Sequence, residues 1–203
     1  MTILLADPRV AAIPVLDRGT ALVALPAAPH VLVRRPLAER LVRAQSHLPD
    51  GLRLHVVKGY RRLADQQAII DRYTREVREH HPDADADEVR QLTSRFVSPV
   101  EVAPHVAGAA VDLTLVDAAG DELWMGTPID ATPEQSDGAC WFHAPVDDEA
   151  RHNRTLLARA LQREGLVNYP TEWWHWSYGD RYWALATGAP HALFGPVDHA
   201  VAS

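Results

Sequence analysis

Two short segments, well separated along the chain, carry the side chains with the clearest chemical potential. The first is the pattern His-x-x-Gly-x-Ala-x-Asp from His105 to Asp112, and the second is Glu172-Trp-Trp-His175. Two imidazoles and one carboxylate are a usual ligand set for a catalytic zinc ion, with the fourth position left to water. A glutamate that is not a ligand can then act as the base for that water. The residue types therefore indicate a metal-dependent hydrolase, with His105, Asp112 and His175 as ligands and Glu172 as the base.

The spacing within each segment predicts how the backbone must run. His105 and Asp112 are separated by an odd number of positions, which in a straight strand places two side chains on opposite faces. Gly108 is where a bend costs least, because glycine adopts left-handed backbone conformations easily. Glu172 and His175 have a helical spacing, but the tryptophans around them argue against a helix. We therefore predict a bend at Gly108 and a turn or bulge at Glu172, just outside a regular strand.

The hydrophobic pattern around these segments predicts an α+β fold. Amphipathic spacing predicts helices over 36–48, 63–81, about 83–96 and 147–164, and alternation predicts strands over 52–57, 109–116, 122–125, 172–178 and 182–185. Proline and glycine composition predicts an irregular N-terminal wrap over 1–35, a long ordered loop over 126–147 and a loose tail over 188–203. We expect one domain spanning 1–203. Its antiparallel sheet should carry helices on one face and a zinc cleft on the other.

The bulk composition excludes several classes of protein. The chain has 203 residues, 47% of them hydrophobic and 23% charged, which is ordinary for a soluble globular domain. A formal net charge of -7 provides no basic surface for nucleic acid. No stretch approaches the roughly 20 apolar residues of a membrane span, and the apolar run before Asp7 is too short for a secretory signal. A single cysteine, Cys140, excludes an internal disulfide. We therefore expect a soluble, cytoplasmic protein without nucleic-acid or membrane partners.

Each motif also has an ordinary structural interpretation. A lone histidine before a strand is more often a core or surface residue than a ligand, and Glu-x-x-His alone is a weak signal. A cluster of tryptophans is more often part of the hydrophobic core than a cofactor pocket. Here it predicts only a water-excluding wall, which strengthens local electrostatic interactions. The metal site is favoured because both motifs occur together, with Asp112 on an alternating strand and His175 among the tryptophans.

Further motifs extend this pattern into a family resemblance. The ordered series is Gly59-Tyr60-Arg61, His105 to Asp112 followed by Leu-Thr-Leu, Met125-Gly-Thr-Pro-Ile-Asp130, and Glu172-Trp-Trp-His175. It resembles the D-alanyl-D-alanine dipeptidases of the M15 zinc peptidases, the VanX-type enzymes. The resemblance implies that His105, Asp112 and His175 hold one zinc ion per chain. It also implies that Glu172 acts as general base and then as general acid.

The same resemblance assigns roles to Arg61 and Asp130. It implies that Arg61 stabilises the oxyanion formed when water attacks the peptide carbonyl, a role that suits a permanently charged guanidinium. It implies that Asp130 receives the free ammonium of the substrate, as in a dipeptidase rather than a carboxypeptidase acting on long chains. By sequence context alone, Arg61 is a solvated charge that follows a strand, and Arg62 could serve in its place. By the same criterion, Asp130 is a turn residue.

The chain departs from the family pattern at three places. Arg62 stands where the family usually has proline, Ala103 stands where it usually has serine, and residues 1–35 lack the aromatic segment that helps to close the substrate pocket. D-Ala-D-Ala is the first expected substrate, and another small dipeptide is the second. A D,D-carboxypeptidase acting on peptidoglycan precursors and a non-catalytic zinc-binding module are the alternatives. Glu172, which a structural zinc site does not need, argues against the module.

Overall fold

The computed structural model describes residues 2–198, which contain both helices and strands. The helices are α1 (Pro8–Ala11), α2 (Arg35–Gln45), α3 (Leu63–His80), α4 (Ala86–Ser94), α5 (Asp148–Arg163) and α6 (Arg181–Thr187). The strands are β1 (Leu22–Leu25), β2 (Ala28–Arg34), β3 (Arg53–Lys58), β4 (Ala110–Val116), β5 (Val167–Asn168) and β6 (His175–Ser177). Within these residues, none of the helices has the length and apolar character needed to cross a membrane.

The central sheet is antiparallel and has the strand order β3-β4-β6-β5. Every residue of β4 is buried, as expected for a strand that is covered on both faces. Its side chains Val111, Leu113 and Leu115 enter one core cluster together with apolar residues of α2 and α5. The opposite face, which carries Asp112, borders a cavity that α3 also lines. The predicted α+β class, with an antiparallel sheet between a helical layer and a cleft, is confirmed.

Two predicted strands do not form. Residues 122–125 make only an isolated bridge, between Glu122 and Val116, after a tight turn in which the carboxylate of Asp117 accepts backbone N–H groups. Residues 182–185 lie in α6 instead. Asp180 begins that helix by accepting hydrogen bonds from the backbone N–H groups of Tyr182 and Trp183, and a side-chain N-cap favours a helix over a strand.

Residues 2–35 and 188–198 are more ordered than the sequence predicts. Residues 1–35 were expected to be irregular, but β1 and β2 form an antiparallel hairpin. In the predicted loose tail, Ala192 forms a parallel bridge with Val15, and Phe194 is buried. The guanidinium of Arg34 joins these parts by donating to the carbonyl oxygens of Ala107 and Gly195. The remainder of the predicted tail, 199–203, lies outside the described residues.

The long loop over 126–147 is held by one buried arginine. Arg154 on α5 is 2% exposed, and its guanidinium donates to the carbonyl oxygens of Met125, Ala139 and Trp141 at 2.7–2.8 Å. Burial lowers the pKa of Arg154 to about 10. Backbone groups of an irregular loop need such partners when they are buried. Arg154 therefore fixes the conformation of the loop that carries Asp130.

We expect Arg154→Met to lower the free energy of unfolding by about 2–4 kcal/mol, because several buried carbonyl groups lose their hydrogen-bond donor at once. Arg159→Met, on an exposed position of the same helix, is the matched control and should change stability by less than about 0.5 kcal/mol. Urea unfolding followed by tryptophan fluorescence measures both. Equal midpoints for the two variants would contradict the assignment of Arg154 as the anchor of the loop.

Candidate functional site

Three buried side chains from distant parts of the chain meet at the edge of the cavity. The Oδ1 atom of Asp112 lies 3.2 Å from Nε2 of His105 and 3.1 Å from Nδ1 of His175. All three ligand atoms lie within 4.8 Å of one another, and the residues are 6%, 3% and 4% exposed in chain order. The structure thus brings together the three residues that the sequence predicts as metal ligands.

Two backbone features create this convergence. In the register of β4 and β6, Asp112 pairs directly with His175, so their side chains lie on the same face of the sheet. His105 reaches that face because Gly108 has a φ of 64°, in the left-handed region that glycine favours. The predicted bend at Gly108 is present. A Cβ atom at this position would also lie 2.4 Å from Cδ2 of Leu22.

The hydrogen bonds of His105 determine which ring nitrogen faces the cluster. Its Nδ1 lies 2.8 Å from the carbonyl oxygen of Gly59, which can only accept, so Nδ1 carries the proton and Nε2 presents its lone pair to Asp112. For His175, Nδ1 faces Asp112, and Nε2 is buried without a hydrogen-bond partner among the described residues. Both rings therefore direct a nitrogen at the same carboxylate oxygen.

This donor set fits a zinc ion. A lone pair of His105 facing a carboxylate oxygen is a contact between two acceptors, which is unfavourable unless a cation lies between them. Tetrahedral ligand atoms bound at about 2.0–2.1 Å from zinc lie about 3.3 Å apart, and the observed separations from Asp112 are 3.1 and 3.2 Å. The carbonyl of Gly59 supplies the outer hydrogen bond that usually orients a metal-binding histidine.

Glu172 lies beside the cluster, in a turn that precedes β6. Its Oε2 is 3.7 Å from Nδ1 of His175, and the residue is 9% exposed. The turn is held by Asn168, whose side-chain amide donates to the carbonyl oxygens of Glu172 at 2.9 Å and His175 at 3.0 Å. The predicted turn before the strand is present. Asn168 is a positioning residue that the sequence does not reveal, since an asparagine at a strand edge has many ordinary roles.

Burial shapes the ionisation of Glu172. It raises the pKa of the Glu172 carboxyl to about 8, because a charged carboxylate is disfavoured away from water. The nearby His175 and Lys58 oppose this increase in pKa, whereas the carboxylates of Asp112 and Asp130 add to it. A carboxyl whose pKa is raised toward neutrality can both accept and donate a proton at physiological pH.

Burial and neighbouring charged groups also shift the pKa values of the three clustered side chains. Burial alone would raise the pKa of Asp112, but His105 and His175 together hold it well below its usual range. Burial lowers the pKa of His105. Burial acts in the same direction on His175, but the hydrogen bond to Asp112 and the charges of nearby carboxylates together outweigh it and raise the pKa of that ring. Asp112 is therefore the permanent negative charge of the cluster.

Arg61 lies in the cavity and Arg62 does not. The Nη1 atom of Arg61 donates to Oε1 of Gln66 at 2.7 Å, and both residues line the cavity that contains the cluster. Arg62 instead pairs with Asp65 on the surface, with its Nε 2.8 Å from the carboxylate. The structure thus distinguishes two neighbouring arginines that sequence context leaves equivalent.

Asp130 lines the same cavity as Glu172, and it is paired with a lysine. Its φ of 67° is unusual for a residue other than glycine, and Asp130 contributes to the cavity wall. The ammonium of Lys58 contacts its carboxylate and lies 4.0 Å from Oδ2 of Asp112. The sequence prediction missed Lys58. A signal was available, because Lys58 is the only lysine of the chain.

The cavity itself is small. Its volume is about 260 Å³, below the range of about 300–1,000 Å³ typical of pockets for drug-sized ligands. Trp174 and the N-terminal Leu5 contribute to its wall, and the backbone N–H of Leu5 donates to the hydroxyl of Tyr169 at 3.2 Å. The N-terminal segment therefore helps to enclose the site, although it lacks the aromatic residues of the family pattern.

Known proteins resemble this chain in sequence and in fold. A D-alanyl-D-alanine dipeptidase of Synechocystis sp. is 29% identical over 186 residues, which cover 80% of this chain and 75% of the relative. A D-alanyl-D-alanine dipeptidase of Escherichia coli K12 is 39% identical over 71 residues, or 35% of each chain. The crystal structure of the D,D-dipeptidase VanXYg has a TM-score of 0.51 at 21% identity, with 87% of this chain and 64% of that chain covered. VanYB in complex with D-alanine-D-alanine has a TM-score of 0.50 at 16% identity, with 86% and 91% covered.

The two structural similarities show a shared fold, and a family match extends along most of the sequence. The M15 peptidase family described as D-Ala-D-Ala dipeptidase matches residues 14–191. That range contains both motifs of the metal cluster, Arg61 and the loop of Asp130. This chain therefore belongs to the D-Ala-D-Ala dipeptidase family of M15 peptidases.

Proposed function

We propose that this chain is a zinc-dependent peptidase that hydrolyses the bond between two D-alanine residues, with the free dipeptide D-Ala-D-Ala as its first substrate. The observation that supports this proposal most is the buried cluster of His105, Asp112 and His175 with Glu172 beside it, in a cavity of about 260 Å³. The dipeptidase family match and the Synechocystis relative support the choice of substrate. We also propose a cytoplasmic location, for which the free, buried thiol of Cys140 is suitable.

Glu172 is proposed as the proton carrier of the reaction. A zinc ion held by His105, Asp112 and His175 would polarise the peptide carbonyl and bring the pKa of a water molecule to about 7. A carboxylate oxygen of Glu172 then accepts the proton of the attacking water. The same oxygen returns the proton to the leaving amine as the C–N bond breaks. Burial, which raises the pKa of the Glu172 carboxyl, makes it a stronger proton acceptor than an exposed glutamate.

Arg61 is proposed to stabilise the negative charge that develops on the peptide carbonyl oxygen. Its guanidinium lines the same cavity as Glu172, and the hydrogen bond to Gln66 holds it there. A fixed cation aimed at a developing oxyanion stabilises the transition state more than the ground state. The pairing of Arg62 with Asp65, away from the residues that line the cavity, supports the choice of Arg61 over Arg62.

Asp130 is proposed to bind the α-ammonium of a free dipeptide, but one contact favours a second candidate function. The carboxylate of Asp130 already contacts the ammonium of Lys58. A neutralised Asp130 suits a substrate whose amino terminus is acylated, as in a D,D-carboxypeptidase that removes the last D-alanine of a longer peptide. A non-catalytic zinc module receives less support, because it has no use for a buried Glu172 with a raised pKa.

We expect Glu172→Gln to keep about one zinc ion per chain and to lower kcat by about 10²–10⁴-fold, because it removes the proton carrier and leaves the ligands in place. Asp112→Asn should instead lose most of the bound zinc. Glu122→Gln, at an exposed position, is the matched control and should keep both zinc and activity. Metal analysis and a ninhydrin assay of released alanine measure these effects. Normal turnover by the Glu172 variant would reject its role as base.

The substrate is tested by a panel of small peptides with the zinc-loaded protein. We expect hydrolysis of D-Ala-D-Ala, slower hydrolysis of N-acetyl-D-Ala-D-Ala and no hydrolysis of L-Ala-L-Ala, with activity abolished by a chelator and restored by zinc. Chromatography of the released amino acids measures each rate. Faster cleavage of a precursor pentapeptide than of the dipeptide would favour the carboxypeptidase, and inertness toward the whole panel would reject both peptidase candidates.

A further inference from the structure

Lys58 reaches the cavity because of an irregularity at the end of β3. His55 pairs with Thr114 and Lys58 pairs with Asp112, although 55 and 58 are an odd number of positions apart and would face opposite sides of a regular strand. The register of β3 shifts between Val56 and Lys58, as in a β-bulge. Bulges re-aim side chains and often occur beside active sites. The bulge therefore turns Lys58 onto the same face of the sheet as Asp112.

The ammonium of Lys58 bridges two acidic groups of the site. It contacts the carboxylate of Asp130 and lies 4.0 Å from Oδ2 of Asp112. The Lys58 side chain is 34% exposed, the Asp130 side chain is 55% exposed and both residues line the cavity, so another cation can approach the pair. Lys58, Asp130 and Glu172 all line the same cavity.

The basic composition of the chain makes this lysine distinctive. Lysine and arginine together number 20, and Lys58 is the only lysine among them. An arginine presents a wide planar group, whereas a lysine presents a compact ammonium with three N–H donors on a flexible stem. The α-ammonium of a peptide has the same compact form. Lys58 therefore offers Asp130 the same chemical partner that a free dipeptide would offer.

We propose that Lys58 is a specificity-determining residue, which competes with the α-ammonium of the substrate for the carboxylate of Asp130. This inference rests on the proposed function. A free dipeptide must displace Lys58 before it gains the full interaction with Asp130, whereas an N-acylated peptide has no ammonium and leaves the pair intact. Lys58 thus reduces the preference of the site for free dipeptides over N-acylated peptides. It lets the site accept D-Ala-D-Ala at the end of an acylated peptide.

The measurement is the ratio of kcat/KM for D-Ala-D-Ala to kcat/KM for N-acetyl-D-Ala-D-Ala, with zinc-loaded protein. In Lys58→Met we expect this ratio to rise by about fivefold, since a solvent-exposed ion pair changes an equilibrium constant by up to about that factor. Because both rates come from the same preparation, the ratio is independent of zinc occupancy and of the folded fraction. Lys58→Arg keeps the charge and should stay closer to the wild type.

Two further variants complete the test. Arg62→Met removes a cation from the neighbouring surface pair with Asp65 and should leave the ratio unchanged. In an Asp130→Asn background, Lys58→Met should no longer change the ratio, because the group for which Lys58 competes is absent. A ratio within about twofold of the wild type in Lys58→Met, or an equal increase in the Asp130→Asn background, would overturn the proposal.

The lone lysine also permits a readout that does not depend on catalysis. Lysine labelled with ¹³C at the ε carbon gives one side-chain resonance, from Lys58. We expect Asp130→Asn to shift this resonance and Asp65→Asn to leave it unchanged, and an unmoved resonance in Asp130→Asn would overturn the pairing. If the zinc-loaded wild type hydrolyses neither peptide, the proposed function fails and the specificity role fails with it. If Lys58→Met hydrolyses both peptides with the same ratio of kcat/KM values as the wild type, only the role of Lys58 is rejected.

Discussion

Asp112 and His175 face each other across two neighbouring strands, and this pairing is the constraint on which the site depends. The register of β4 and β6 places a carboxylate and an imidazole side by side without any contribution from a flexible loop. Side chains mounted on a sheet are held more precisely than those on loops, which suits ligands that must keep a metal geometry. His105 is the one ligand outside the sheet, and its ring is locked by the hydrogen bond to the carbonyl of Gly59.

Burying several ionisable groups together costs free energy, which the surrounding residues must offset. A buried carboxylate needs a compensating positive charge, and a metal ion held by His105, Asp112 and His175 would supply it. Trp173, Trp174 and Trp176 are 1%, 1% and 0% exposed and exclude water from the strand that carries His175. Exclusion of water strengthens the electrostatic interactions within the cluster. Burial also raises the pKa of Glu172, so the packing of the site influences its acid–base chemistry.

Two buried arginines connect the site to the irregular parts of the chain. Arg154 donates to the backbone of the loop that carries Asp130, and Nε1 of Trp173 adds a hydrogen bond of 2.9 Å to Thr127 in the same loop. Arg34 links the hairpin of β1 and β2 to the bend after His105 and to the C-terminal segment. Irregular backbone has no ladder of its own, so side-chain donors must satisfy its carbonyl groups. The chain meets that requirement with a guanidinium, which provides several donors at once.

Much of the chemistry of the site was readable in the sequence. The types and order of His105, Asp112, Glu172 and His175 indicate the metal cluster, and the bend at Gly108 follows from their spacing. Helix α3 was predicted to within one residue, because its apolar stripe is long and regular. Segments 122–125 and 182–185 were misassigned as strands, because short apolar runs do not distinguish strand from helix or loop when a capping residue or a tight turn decides.

The sequence by itself determined the composition of the site: which residue types can hold a metal ion, which carboxylate is left over beside them, and which family shares the pattern. Only the tertiary structure decided the partnerships. It placed Arg61 in the cavity and Arg62 outside it, it put Asn168 beneath the turn of Glu172, and it turned Lys58 onto Asp130. Spacing along a chain constrains local geometry, whereas these contacts depend on strand register, a bulge and the path of a long loop. Those features are set by packing between segments that are distant in the sequence, and no local pattern records them.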